Sequence, residues 1–409
     1  MPRRGVRGRR STVEWSVRGA LALVAAVLGY LSVAYTLGSA LRTRDSERAY
    51  AVAPADGRIA ASLAQDLAGP EATAADRARA GRLAREALLR APTEVAAAST
   101  LIINAQLRGD TAHARRLFGY VERLSRRDLQ SRLWAVEDAV ARGDVPGALR
   151  HYDIALRTSR SAPDLLFPIL ASAIAEPSVR AALAEKLAAE PAWGDEFISY
   201  VAGRGPDPLA TAQLFLTLRR AGLSLSPGAQ TGLVNLLVER GHIDQAWSYY
   251  ASIRPGADRR RSRDPRFVIS AEQPSAFDWI SVSDSSISLS IQRNEGGGVL
   301  DFSAPTSVGG PMLQQLQLLP PGEYRIEGHS IGIDQPDGAN AYWVLSCRGG
   351  RELGRVDVPN SAQANGVFAG RFSVPSGCPV QTLVFVARPS DAVSGLSGQI
   401  DRVLLSPAR

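Results

Sequence analysis

Cysteine occurs twice and histidine four times in 409 residues. No Cys-x-x-Cys step and no Cys/His cluster is present, which excludes zinc-ribbon and thioredoxin-like chemistry. Charge is also sparse where it would matter for nucleic acid. The chain carries a net +7, but residues 1–18 hold six arginines (Arg3, Arg4, Arg7, Arg9, Arg10 and Arg18) against Glu14, which accounts for five of those charges. The remaining 391 residues carry +2. A nearly neutral body lacks the electrostatic footprint that a phosphate backbone requires, so no nucleic-acid partner is expected. Hydrophobic content of 45% with 21% charged residues excludes wholesale disorder.

The N-terminal basicity reads as targeting, because 23 uncharged residues follow it from Gly19 to Leu41. A helix of that length reaches roughly 34 Å, enough to cross a hydrocarbon core of about 30 Å. The arginine cluster should stay cytoplasmic, which sends everything after Leu41 across the inner membrane into the periplasm. A secretory signal cut near Gly38-Ser39-Ala40 is the alternative, although its apolar region would exceed the usual length of about 7–15 residues. In an oxidising compartment Cys347 and Cys378 read as a disulfide, with two buried thiols as the alternative. Closing that loop should stabilise the fold by about 3–4 kcal/mol.

Between residues 71 and 252 apolar positions recur at i, i+3, i+4 and i+7, broken by Gly and Pro at helix-length intervals. Ala75-Asp76, Gly109-Asp110 and Gly143-Asp144 lie 34 residues apart. Each has alanine at +5 (Ala80, Ala114, Ala148) and a groove-filling position at +9 (Ala84, Phe118, Tyr152). The cadence weakens at Pro177 and Ala182 and returns once at Gly241, with Ala246 and Tyr250. It resembles the tetratricopeptide repeat, a helix-turn-helix unit of about 34 residues that stacks into protein-binding surfaces. Residues 42–70 are read as a connecting segment with one helix from Gly57 to Leu67. Residues 253–266 form an arginine-rich linker, read as a solvated spacer; contact with anionic polysaccharide or lipid headgroups is the other option.

From residue 267 to 409 the texture changes to short alternating runs: Ile287–Ile291, Val299–Phe302, Tyr324–Glu327, Tyr342–Cys347 and Leu383–Val386. Such runs between Gly, Pro, Asn and Asp clusters predict an antiparallel β-sandwich. Leu319-Pro-Pro-Gly-Glu-Tyr324 turns into a strand, Phe372-Ser-Val-Pro-Ser-Gly-Cys378 leaves one, and Gly398–Leu404 closes the domain with Ile400, Arg402 and Leu404 on one face. These segments resemble galactose-binding-like jelly rolls found as carbohydrate-binding modules. The resemblance implies sugar binding by analogy of fold alone.

Gly328-His-Ser-Ile-Gly332 matches the nucleophile-elbow pattern, yet it continues a strand and runs into Asp334-Gln-Pro, where no helix starts. That family also requires a histidine after the serine, and none follows His329. The acidic residues of the β-region (Asp278, Asp284, Glu295, Asp301, Glu323, Glu327, Asp334, Asp337) show no spacing that pairs two of them across a cleft, as a glycosidase needs. No catalytic residue, metal site or cofactor is therefore expected. Aromatic rings are the favoured ligand contacts, because the C–H face of a sugar stacks on them. Strand alternation puts Trp343 with Cys347 on the core face and Tyr342 outward. Tyr342 and Trp279 are the candidate ligand-binding residues, Trp279 either packing inward or capping the sandwich edge.

Together these features predict a multidomain α plus β chain. A basic tail (1–18) and transmembrane helix (19–41) precede the connecting segment, then a tetratricopeptide-like α-solenoid (71–252), the linker, and a C-terminal antiparallel β-sandwich of jelly-roll type (267–409). The predicted role is a non-enzymatic scaffold for envelope polysaccharide assembly or export, with protein partners on the repeats and polysaccharide on the sandwich. A pure protein-interaction scaffold is the alternative. A C-terminal alkaline phosphatase fusion should be active in intact cells; an inactive fusion would place the body in the cytoplasm.

Overall fold

The computed structural model describes residues 12–269, 272–282, 286–294 and 296–408. Arg3, Arg4, Arg7, Arg9, Arg10, Asp284 and Glu295 lie outside the described residues. The chain divides into two compact units, Met1–Leu166 and Phe167–Arg409.

The first unit is helical: α1 (Thr12–Leu41), α2 (Ser46–Val52), α3 (Gly57–Asp66), α4 (Ala74–Arg90), α5 (Val95–Leu107), α6 (Thr111–Leu124), α7 (Leu129–Ala141) and α8 (Val145–Thr158), with the start of α9 (Ala162–Ala173). Helices α3 and α4, α5 and α6, and α7 and α8 pack as successive hairpins. The Gly-Asp step performs two tasks at each turn. Gly109 (φ 77°) and Gly143 (φ 69°) take the left-handed conformation that ends a helix without a Cβ penalty. The following aspartate N–H reaches back across the helix end, Asp110 to Ala105 O at 3.0 Å and Asp144 to Ala139 O at 2.9 Å. Its side chain then caps the next helix, accepting from His113 N (3.0 Å) and Gly147 N (2.9 Å) respectively. The first step differs: α4 begins earlier, on Thr73, and Asp76 closes a capping box with it. Ala80, Ala114 and Ala148 are buried, so the helices of each hairpin approach closely there.

Helix α1 is long and apolar enough to cross a membrane, and a signal sequence meets the same test. It begins earlier than expected, at Thr12, with Arg18 paired to Glu14 at 2.8 Å. Ala34 and Gly38 are its buried residues. A Cβ at Gly38 would come 2.8 Å from Ile59 Cδ1 and 3.0 Å from Ala53 Cβ. The last turns of α1 are thus packed on protein, at α2 and α3. Trp15 and Tyr35, both exposed, stand about 30 Å apart along the helix, the spacing of two interfacial aromatic belts.

In the second unit α10 (Pro177–Ala188), α11 (Gly194–Arg204), α12 (Pro208–Arg220), α13 (Pro227–Glu239) and α14 (Ile243–Ile253) precede the strands. Around Ala182 the repeat register slips, and the neighbouring Leu183 and Ala184 take the buried positions. The register returns in α14, where Ala246 and Tyr250 are buried. The strands are β1 (Ile280–Ser281), β2 (Ser288–Asn294), β3 (Gly297–Ala304), β4 (Gly310–Gln317), β5 (Gly322–Ile331), β6 (Tyr342–Cys347), β7 (Glu352–Asp357), β8 (Val367–Val374), β9 (Gln381–Ala387) and β10 (Leu396–Pro407). They form two five-stranded antiparallel sheets, β1-β4-β9-β6-β7 and β2-β3-β10-β5-β8. The core between them holds Phe302, Trp343, Phe385, Ile326, Val403 and Leu405. Cys347 and Cys378 form a disulfide, Cα–Cα 5.6 Å, tying the end of β6 to the turn before β9.

The arginine-rich stretch is not a solvated spacer. Ser262 exchanges two hydrogen bonds with Leu405 of β10, both 2.9 Å, and Pro265 O accepts from Val403 N at 2.9 Å. Arg263 is fully enclosed at the end of the sandwich. Its Nε donates to Phe277 O (3.0 Å), its Nη1 to Gln317 Oε1 (2.8 Å) and its Nη2 to Leu316 O. Gln315 and Gln317 share the inward face of β4 with Leu313, which explains polar residues in a core strand. Trp247 of α14 and Phe277 lie 5.5 and 5.8 Å from the guanidinium, and Tyr250 Oη donates to the buried Asp278 at 2.8 Å. Burial pushes Arg263 down to about 10, opposed by Tyr250 and Asp278, so it remains protonated at neutral pH. Replacing Arg263 with Met should cost about 3–5 kcal/mol in denaturant unfolding, because Gln317 and the carbonyls of Phe277, Leu316 and Arg261 lose their donor. Arg260→Ala, at an exposed side chain, should change stability by less than about 0.5 kcal/mol.

Candidate functional site

Trp279 is not a ligand platform. It is 7% exposed, its ring packs 5.8 Å from Phe267 and 5.7 Å from Trp343, and its Nε1 donates to Asp264 O at 2.9 Å. The ring fills the sandwich core, where area burial outweighs edge exposure. Tyr342 does face outward, with Trp343 fully buried beside it. Its ring is already occupied, since the Arg355 guanidinium of β7 lies 5.0 Å away and that of Arg388, just after β9, lies 4.6 Å away. Glu352 and Asp357 hold these two arginines in place at 2.7 and 2.8 Å.

The elbow-like motif is the end of β5, with Gly332 just beyond the strand. Ser330 is buried, its hydroxyl 3.0 Å from Ser361 Oγ and donating to Gly366 O at 3.3 Å. His329 points to the opposite face, as strand alternation demands, so the two side chains do not meet. Its Nδ1 lies 3.0 Å from Asp401 Oδ1.

Asp401 reaches His329 because β10 carries a bulge. The register steps from Ile400↔Ser330 to Arg402↔His329, leaving Asp401 as the extra residue. The expected face of Ile400, Arg402 and Leu404 therefore does not exist: Ile400, Val403 and Leu405 are buried, and Arg402 is exposed. The bulge needs Gly328 beneath it, where a Cβ would lie 2.4 Å from Arg402 O and 2.2 Å from Phe368 Cζ. The first glycine of the motif thus serves backbone packing.

The outer face of this sheet opens into a cavity of about 750 Å³ lined by Arg266, Arg325, Glu327, His329, Asp401 and Arg402, with Gly296–Gly298, Gly328, Val299 and Val367. Alternation along β5 presents Arg325, Glu327 and His329 together. Glu327 is shared by Arg402 Nη2 at 3.2 Å and Arg325 Nε at 3.5 Å. Beside the cavity Gln399 Nε2 donates to Asp301 Oδ2 at 2.8 Å. Among the described residues no Phe, Tyr or Trp lines the cavity, whose walls offer hydrogen bonds and charge. Arg266, from the supposed spacer, donates from Nη2 to Gly296 O. Of these residues the sequence set Arg266 in the arginine-rich stretch, His329 in the rejected elbow-like motif and Asp301 and Glu327 among unpaired acids. Arg325, Asp401 and Arg402 were not site candidates, because a bulge leaves only a skipped step in the apolar pattern.

In the first unit a smaller cavity of about 320 Å³ is lined by Arg115, Phe118, Trp134, Asp138, Arg142 and His151. Asp138 pairs with Arg115 at 2.8 Å and Arg142 at 3.2 Å. Burial alone would raise its carboxyl, but the two arginines outweigh that and hold it low. Behind them Arg132 is fully buried against Glu122 (3.0 Å) and His151 Nδ1 (3.3 Å). Burial, then Arg132, depress His151, so its imidazole stays neutral and accepts.

No protein-family model matches the chain, and no curated protein matches it. Among solved structures it is similar to the enzymatically active domain of bacteriophage CBA120 tailspike protein 4, at 12% identity over 32% of this chain and 20% of that one, TM-score 0.24. The chain thus spans about a fifth of that tailspike. It is similar to a carbohydrate-binding module of Cellvibrio mixtus lichenase 5A in complex with cellotriose, at 11% identity over 32% and 98% of the two chains, TM-score 0.22. A glycosylation-associated protein complex from Streptococcus agalactiae is similar at 10% identity over 31% and 41%, TM-score 0.21. Likenesses of this size do not bear on the site.

Gly328→Ala should destabilise the chain by about 1–3 kcal/mol and displace the bulge, loosening the His329–Asp401 pair. Thermal unfolding and the His329 ring resonances would read both effects. Gly349→Ala, with open space around its Cα, is the control.

Proposed function

We propose that this chain is a membrane-anchored periplasmic scaffold for envelope polysaccharide assembly or export. Its repeats, of the tetratricopeptide kind, dock a protein partner, and its sandwich binds glycan on the outer face of the β2-β3-β10-β5-β8 sheet. The carrying observation is the open cavity of about 750 Å³ whose walls offer guanidinium, imidazole, carboxylate and backbone groups together. That mixture of donors and acceptors suits a polyhydroxylated ligand, and the volume falls within the usual range for a ligand site. The Cys347–Cys378 disulfide and the apolar α1 support export and anchoring. The opposite orientations of Ser330 and His329 support binding over hydrolysis.

A pure protein-interaction scaffold is the second reading. It is favoured by the aromatic rings, since Trp279 is buried and Tyr342 is occupied by two guanidinium groups. The two readings separate on a glycan array probed with the full chain in detergent micelles. Binding to exopolysaccharide fragments is expected, weakened about fivefold or more by Arg402→Ala, which removes one charge-assisted contact. A blank array would sink the sugar reading and leave the interaction scaffold.

A further inference from the structure

We infer that the cavity is built for a carboxylate-bearing saccharide, a stretch of uronic acid residues, in preference to a neutral one. This rests on the glycan reading above. Among the described residues three arginines and a histidine line the space against two carboxylates, Glu327 and Asp401. One of those carboxylates, Glu327, serves both Arg325 and Arg402, at 3.5 and 3.2 Å. A guanidinium offers five N–H donors, so among the described residues most of the donor capacity of this pair is uncommitted. At Gly297 even a Cβ would come within 3.5 Å of Arg266 Nε, so the missing side chain leaves that guanidinium uncovered.

A second observation comes from the strand register. Arg325 of β5 stands directly opposite Arg371 of β8, on the same outward face, and both are exposed. Arg371 makes no ion pair or side-chain hydrogen bond among the described residues. Like charges directly opposed across an antiparallel pair are destabilising. Arg402 stands opposite His329. The opposed Arg325 and Arg371, with Arg402 on the same face and Glu327 shared between Arg325 and Arg402, form a row that a bound anion would relieve. Planar guanidinium groups bind carboxylates through two parallel N–H bonds, a geometry that a neutral hydroxyl cannot match.

The test is calorimetric titration of the full chain in micelles with short oligogalacturonate and with the same oligomer methyl-esterified. The acid form should bind at least tenfold more tightly, and the preference should shrink between 50 and 300 mM salt as exposed charges are screened. Arg371→Gln should lower that preference at least threefold while raising the melting temperature of the unliganded chain, since it removes the opposed charge. A merely structural Arg371 would move stability without moving the preference. Equal binding of the two oligomers would overturn the acidic specificity and leave the glycan reading standing. Failure of both to bind while exopolysaccharide fragments bind the array overturns only the uronate assignment. Failure of all glycans, with binding of poly-glutamate, would overturn both and assign the face to an acidic protein partner.

Discussion

The passage of β10 over Gly328 is the constraint on which the candidate site depends. Without a side chain at that point of β5, the Arg402 carbonyl comes close enough for one extra residue to be fitted into β10. That residue is Asp401, and the step has consequences on both faces of the sheet. Inward, the core receives Val403 and Leu405 in place of Arg402 and Leu404. Outward, Asp401 and Arg402 follow one another onto the same surface, against His329 and Glu327. A regular strand would have put one of them in the core.

The same end of the sandwich is held by polar groups buried on purpose. Arg263 carries its charge into a space bounded by Gln315, Gln317, Phe277 and Trp247, and nearly every donor is met by an oxygen. Its neighbours Ser262 and Pro265 bond to β10 at Leu405 and Val403, immediately after the bulge. Arg266, three residues on, then reaches the cavity. One stretch of 262–266 therefore joins α14, the sandwich core and the cavity wall, which makes it part of the candidate site and its support.

Elsewhere polar residues act locally. The Gly-Asp steps end one helix and begin the next with groups three to five residues away, so their effect is written in adjacent sequence. This is why the hairpins were legible: αL glycine and capping aspartate are short-range requirements, and buried alanines at +5 follow from helical period. Strand runs were legible for the same reason wherever one face is apolar. β4 and β7 escaped notice because β4 uses glutamine inward to receive Arg263, and β7 is short and bears glycine and arginine.

From composition and spacing alone came the long apolar N-terminal helix, the helical repeats, the antiparallel sandwich and the paired cysteines, all governed by local period or length. The folded chain chose between the two placements of Trp279 and alone assigned the capping of Tyr342 by Arg355 and Arg388, the plug at Arg263 and the cavity at Asp401. Each of these rests on residues brought together from distant positions, such as Arg402 against Glu327 or Arg263 against Gln317. A side chain's exposure and its partner are properties of the packing around it, and no spacing along the chain encodes them.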